Sequence, residues 1–407
     1  MDATLNPPSW NPFDPEFMVD PYPTYARLRR EDPVHRTPLG ILILSRYEDA
    51  FQLLRDPTTS VQRFDTDRVV PEHMQPLQNR REERGPSILG LDPPDHTRLR
   101  KLVQRTFTPR AIARMRDQTA VIVDELLDEL ADVDQIDLIT DYAFIIPFMV
   151  IHRMLGLPDT DIFMVRQWSQ DLARTLEPFL TPEQVTAAIS GGEKMDEYLL
   201  DAIAQKRKNP QDDLLTALVE AEEEDGRMTE EELLSMTGLL FVAGHETTVN
   251  LIGNGTHALL GHPDQMELVR TDPSVDENMV DELLRYDSPV QTSGRRLTQN
   301  TTISGVEIAA DEMVLSALGS ANRDETFWGP TANDLDVTRP EAGRHLAFGS
   351  GIHHCLGAAL ARMEGEIAVT RLVRRFPELA HNGEDTMNGR IILRGRETFP
   401  VSLGTPV

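Results

Sequence analysis

Apolar residues recur at three- and four-residue spacing from Ala120 to Leu130, from Met195 to Ile203 and from Met363 to Leu372, with charged residues between them. This spacing predicts amphipathic helices that face a shared core. The longest such signal runs from Thr229 to Gly261. Thr229 and Glu232 form a capping-box pattern at its start, and Gly261-His262-Pro263 stops it. Its roughly 32 residues extend about 48 Å, enough to cross a whole domain. A further helix is predicted from Asp276 to Tyr286, ending before Ser288-Pro289, and another follows Cys355 towards Arg374, before Pro377. Between them, Thr301 to Ala317 alternates, with turn residues at Gly305 and Asp311-Glu312, and predicts a small hairpin. The fold class is mainly α with minor β. Loops fall near residues 70–95 and 206–212, but no repeat, low-complexity tract or Gly/Ser linker divides the chain, so residues 1–407 read as one domain.

Composition narrows the function. The formal net charge of −27 disfavours nucleic acid and anionic membrane surfaces as partners. The opening residues, MDATLNPPSWNPFDP, lack the basic and apolar regions of a leader, so the mature chain is expected to start near Met1. The longest apolar run, Tyr142 to Ile151, is about half of a bilayer crossing and contains Pro147. A cytoplasmic protein is expected. The single cysteine, Cys355, excludes an internal disulfide and any Cys-cluster metal site within the chain. A lone Cys without further context is usually a small buried apolar residue.

Its context here is Phe348-Gly349-Ser350-Gly351-Ile352-His353-His354-Cys355-Leu356-Gly357. This segment resembles the haem-binding loop of the cytochromes P450 at every fixed position of F-G-x-G-x-H-x-C-x-G. By that resemblance, Gly349 and Gly351 permit a tight loop with its backbone close to the porphyrin, a helix starting after Cys355 directs N–H groups and its positive dipole end at a thiolate, and Gly357 leaves room beside the macrocycle. The resemblance implies haem b (iron protoporphyrin IX) ligated by Cys355, with His353 facing a propionate, and the fold in which haem lies between the long helix and the helix after Cys355. A zinc site is disfavoured because His353, His354 and Cys355 are adjacent, and a phosphate loop because the G-x-x-x-x-G-K-[ST] spacing is missing.

Further motifs agree with the resemblance. Ala243-Gly244-His245-Glu246-Thr247-Thr248 is similar to the family's oxygen-activation motif: Gly244 would let oxygen or substrate approach, the Thr247 hydroxyl can bond the carbonyl one turn earlier, and Glu246 with Thr247 would relay protons. It is not a zincin site, because Val249 stands where the second His would be. Glu282 and Arg285 match E-x-x-R, with Arg339 as their third partner, and all three are read as structural. His96 and Arg100, one turn apart, match H-x-x-x-R, and Arg295 matches another propionate contact, with Arg296 as the competing neighbour. Gly253-Asn254-Gly255-Thr256-His257-Ala258 fits a dinucleotide pattern but lies inside the long helix, so electrons from NAD(P)H must come through another protein.

The activity implied by the resemblance is insertion of one dioxygen atom into a hydrophobic small organic substrate, with ferredoxin and ferredoxin reductase as electron donors. A peroxide-dependent enzyme and a non-catalytic haem sensor or carrier are the alternatives. By resemblance, the substrate pocket draws on Val69 to Gly90, Trp168 to Ile189, Leu239, Leu240 and Ala243, Val290 to Thr292, and Ile391 to Leu393, with Ile391 and Ile392 as its named residues. Between His96 and Arg116 the chain has seven basic residues, Arg98, Arg100, Lys101, Arg105, Arg110, Arg114 and Arg116, and no acidic one. This local reversal of sign is expected to steer an acidic ferredoxin, with Arg105 and Arg110 as its test positions.

Overall fold

The computed structural model describes residues 8–38, 40–62, 70–85, 87–104, 107, 109–223 and 228–407. Helix makes up 58% and strand 11%, as expected for a mainly α chain with minor β. The long helix spans Glu230–Leu260 and starts from the predicted box: Thr229 Oγ1 accepts from Glu232 N (3.2 Å), and Glu232 Oε2 accepts from Thr229 N (2.9 Å). Gly261 N closes its far end on His257 O. Helices Ile145–Leu155, Pro182–Lys208, Asp276–Tyr286 and Ala358–Arg375 pack around it. The bounds predicted for Asp276–Tyr286 match those observed, and Ala358–Arg375 ends within one residue of the expected stop.

Close packing explains the glycines of the long helix. A methyl group on Gly253 would lie 2.6 Å from Ile139 Cδ1, and one on Gly255 would lie 2.7 Å from Leu283 Cδ1. The dinucleotide-like spacing is therefore a packing face. The apolar run forms a π-helical turn, Ile139–Ala143, followed by the buried helix Ile145–Leu155, with Pro147 in the first turn where its missing N–H costs little. Among the described residues, no helix is long and apolar enough to cross a membrane.

The expected hairpin forms only in part. Thr301–Ile303 pairs with Val306–Ile308 around Ser304 and Gly305, whose φ values of 47° and 81° suit a tight I′-type turn. Met313–Ala317 leaves this pair. It enters a five-stranded sheet in the order Val34–Arg36, Leu42–Leu44, Met313–Ala317, Thr292–Leu297, Thr59–Ser60, with Thr292 opposite Ala317. Alternation assigns a strand's faces, whereas burial of Val314, Ser316 and Ala317 among distant strands decided its partners.

Candidate active site

Between the Gly351–His353 turn and Ala358–Arg375 the chain makes a tight loop closed by Cys355 N donating to Phe348 O (2.9 Å) and Gly349 N donating to Leu346 O (2.8 Å). Gly349 and Gly351 have φ values of 67° and 71°, which side-chain-bearing residues rarely adopt. Gly351 is also where the loop meets the helix Tyr47–Arg55, since a methyl there would sit 2.4 Å from Leu54 O. Its close approach is thus to protein rather than to cofactor. Gly357, by contrast, borders open space, and a methyl on Gly349 would come no closer than 4.0 Å, to His353 O.

Cys355 is exposed, yet desolvation by the surrounding loop pushes its thiol up, while the Gly357 N–H, Arg100 and Arg362 pull it down. These are the donors and cations that a thiolate requires. Arg362 lies over the Phe348 ring (4.7 Å) and is held there by Asp281 (2.6 Å), while Arg100 donates to His354 O.

Beside this loop, the structure gathers four expected residues. The rings of His96, on the helix Asp95–Gln104, and His353 lie 4.3 Å apart, and neither ring nitrogen of His96 nor Nε2 of His353 has a hydrogen-bond partner. Burial and the neighbouring His96 and Arg295 push His353 down to about 3, and burial with Arg100 lowers His96. Arg295 is buried and, among the described residues, donates to Ser293 Oγ and Gly294 O, whereas Arg296 turns to Asp311 (2.6 Å). Among the described residues, no carboxylate forms an ion pair with Arg100 or Arg295. A buried and a half-buried imidazole with unpartnered ring nitrogens, beside two guanidiniums that have no carboxylate ion pair among the described residues, fit a planar cofactor with two anionic arms.

On the long helix, Thr247 Oγ1 donates to Ala243 O (3.2 Å), one turn earlier. Leu239, Ala243 and Thr247 share a helix face and are half-buried or exposed, while Leu240 belongs to the main core. Gly244 departs from expectation: a methyl on it would lie 2.8 Å from Ile151 Cγ1, so its small size serves packing against Ile145–Leu155 rather than approach of a ligand. His245 is buried among Phe144, Phe148 and Phe241 with Nδ1 against Phe241 O (2.8 Å), and burial keeps it neutral. Glu246 is paired with Arg390 Nη1 (3.0 Å), beside a small cavity lined by Arg166, Gln170, Asn388 and Glu397.

Sequence reasoning missed Arg390. It also missed Glu364, fully buried beside Thr248 and held well above the usual carboxylate range by burial. Neither lies in a recognisable motif. Glu282 and Arg285 are fully buried: Arg285 Nε and Nη2 grip both carboxylate oxygens (2.6 and 2.8 Å), Arg339 Nε reaches the same group (3.2 Å), and Arg285 also donates to the carbonyls of Asn322, Ala332 and Asp334. Such a network inside the core is structural.

The remaining expected positions are scattered. Val290 bridges to Leu393, Ile391 packs on the cluster around Trp10, Phe17 and Tyr25, and Ile392 is half-buried and joins none of the core clusters. Val69 and Arg105 lie outside the described residues, as does the Arg110 side chain. The basic run reads positive along the chain but is partly neutralised in space, because Glu232, Asp212 and Glu366 pair with Arg98, Arg114 and Arg116.

Comparison with known proteins agrees with this geometry. Residues 34–393 match the family model described as Cytochrome P450. The chain is 43% identical to cytochrome P450 107B1 of Saccharopolyspora erythraea, over 96% of this chain and 97% of that protein. It is 42% identical to the vitamin D(3) 25-hydroxylase of Pseudonocardia autotrophica, over 96% of each. The crystal structure of myxobacterial CYP267B1 in complex with myristic acid superposes with a TM-score of 0.88 at 36% identity, covering 96% of this chain and 98% of that one. The chain belongs to the cytochrome P450 family, whose members bind haem through a cysteine thiolate.

Proposed function

We propose that this P450 oxidises a hydrophobic small molecule, with Cys355 as haem ligand, His96, Arg100, Arg295 and His353 at the propionates, and a ferredoxin with its reductase as electron source. The carrying observation is the grouping, beside Cys355 with the Gly357 N–H on its sulfur, of the buried His96 and the half-buried His353, whose ring nitrogens His96 Nδ1, His96 Nε2 and His353 Nε2 are buried without hydrogen-bond partners. Bound haem supplies a thiolate-ligated iron at which dioxygen is reduced and its O–O bond cleaved. The chain's own residues supply protons and exclude water. Glu246, in contact with Arg390 and the small polar cavity, takes protons from the solvent side, and the Thr247 hydroxyl passes them into the substrate space. Leu239, Ala243, Val290 and Ile392 offer apolar surface to the substrate. A relative named for hydroxylating vitamin D(3) and a structural neighbour holding myristic acid support an apolar substrate. Lys101, exposed near Arg100, gives an acidic donor a cationic approach to the cysteine side.

Replacing Thr247 tests this reading. In Thr247→Ala, substrate affinity and the haem spectrum should stay at wild-type values while product formed per NAD(P)H falls about tenfold and peroxide accumulates. Equal yields of product per NAD(P)H in the two proteins would overturn the assignment.

A further inference from the structure

Glu177 lies in the connection between the helices Ile162–Arg174 and Pro182–Lys208, and its carboxylate is buried. It accepts from three successive backbone N–H groups more than two hundred residues away: Ile391 N (2.7 Å), Ile392 N (3.1 Å) and Leu393 N (3.5 Å). Consecutive N–H groups that converge in this way form a cup for an anion. On its other edge the same loop is stitched to the protein body, with Gln291 N donating to Ile392 O and Arg394 N donating to Pro289 O. The three N–H groups therefore have Glu177 as their acceptor, and its removal would leave one buried and two half-buried donors without it. The connection has lighter ties elsewhere: Arg81 donates to Thr175 O, His73 Nε2 meets Leu180 O (3.0 Å), and the rings of Phe13 and Phe179 touch at 5.0 Å. Arg390, adjacent to the cup, carries the ion pair to Glu246.

We propose that Glu177 is a latch and positioning residue: seated in the N–H cup of Ile391–Leu393, it holds the 175–181 connection closed over the substrate space and steadies the loop whose Arg390 orients Glu246. The inference rests on the reading that Ile392 and its neighbours border the substrate. A carboxylate received by several N–H groups is a strong tie, yet one that a single side-chain displacement releases. Closing and opening of the connection then governs ligand traffic.

The test uses the haem-loaded full chain and an apolar azole whose iron ligation shifts the Soret band, followed by stopped-flow. Glu177→Ala should raise both the association and dissociation rate constants about tenfold, with Kd changed less than about twofold. Glu177→Gln, which keeps the shape and one acceptor oxygen, should give an intermediate increase and covers the case in which the alanine variant folds poorly. A purely structural residue would lower haem content and melting temperature without raising both rates together. Wild-type rates in Glu177→Gln and Glu177→Ala would overturn the latch. Ile392→Trp separates this failure from that of the underlying reading: unchanged azole affinity in that variant removes the loop from the substrate border, whereas weakened affinity with unchanged Glu177 rates rejects the latch alone.

Discussion

On the cysteine side, ten consecutive residues from Phe348 to Gly357 bring together the sulfur, the backbone donors and the turn glycines. On the opposite side, the long helix contributes Glu246 and Thr247, a loop 144 residues later contributes Arg390, and the connection before Pro182 contributes Glu177. The first arrangement is held by short-range backbone hydrogen bonds and two glycines at positive φ. The second depends on buried carboxylates meeting distant partners across the fold, a guanidinium for Glu246 and backbone N–H groups for Glu177. A cofactor that is the same in every member of a family can be held by a contiguous motif, whereas a substrate space is assembled from elements free to vary one by one.

The sharpest way to break the cysteine side is Cys355→Ala. Because Cys355 is the only cysteine, no other residue can restore thiolate ligation. The long-wavelength absorbance of the reduced carbonyl complex should be abolished, and its persistence would remove Cys355 as ligand. Next in size is the buried network beneath that side. Arg285→Ala breaks a fully buried ion pair and leaves the Glu282 carboxylate with Arg339 and the Asp336 N–H as its partners among the described residues, at a cost of about 3–5 kcal/mol, and denaturant unfolding should report it. A surface ion pair would cost less than about 1 kcal/mol.

The opposite side should respond in rate rather than stability. Glu246→Gln is expected to slow substrate turnover roughly a hundredfold, with a larger solvent isotope effect, because proton supply then limits the reaction. Arg390→Ala removes only the partner of Glu246 and should slow turnover by about tenfold. If the two variants are equally slow, Arg390 takes part in proton supply itself.

The smallest effect concerns Glu364, which lies where the two sides meet. Its carboxyl is raised by burial, so the stability it contributes is full below the ordinary carboxylate range and is lost as pH rises through the folded-state value. The wild-type melting temperature should therefore fall more steeply between pH 5 and pH 8 than that of Glu364→Gln. Parallel melting profiles would place a charged carboxylate at this position.

The cofactor side was legible because its information is local. Glycines where the backbone turns, a cysteine before a helix and a capping box at Thr229 are each defined by neighbours a few residues away. The long helix and Asp276–Tyr286 were readable for the same reason, since a repeating apolar stripe and its stop residues lie within one segment. Tertiary structure decided the rest. It sent Met313–Ala317 into the five-stranded sheet, turned Gly244 towards Ile151, and chose Arg295 over Arg296 for the imidazole cluster by giving Arg296 to Asp311. It also seated Glu177 on Ile391–Leu393 and Arg390 on Glu246, pairings that no spacing along the chain encodes. Local backbone geometry depends on adjacent residues and so survives in the linear order. The partner of a buried charge depends on which distant groups are desolvated beside it, and only the folded chain determines that.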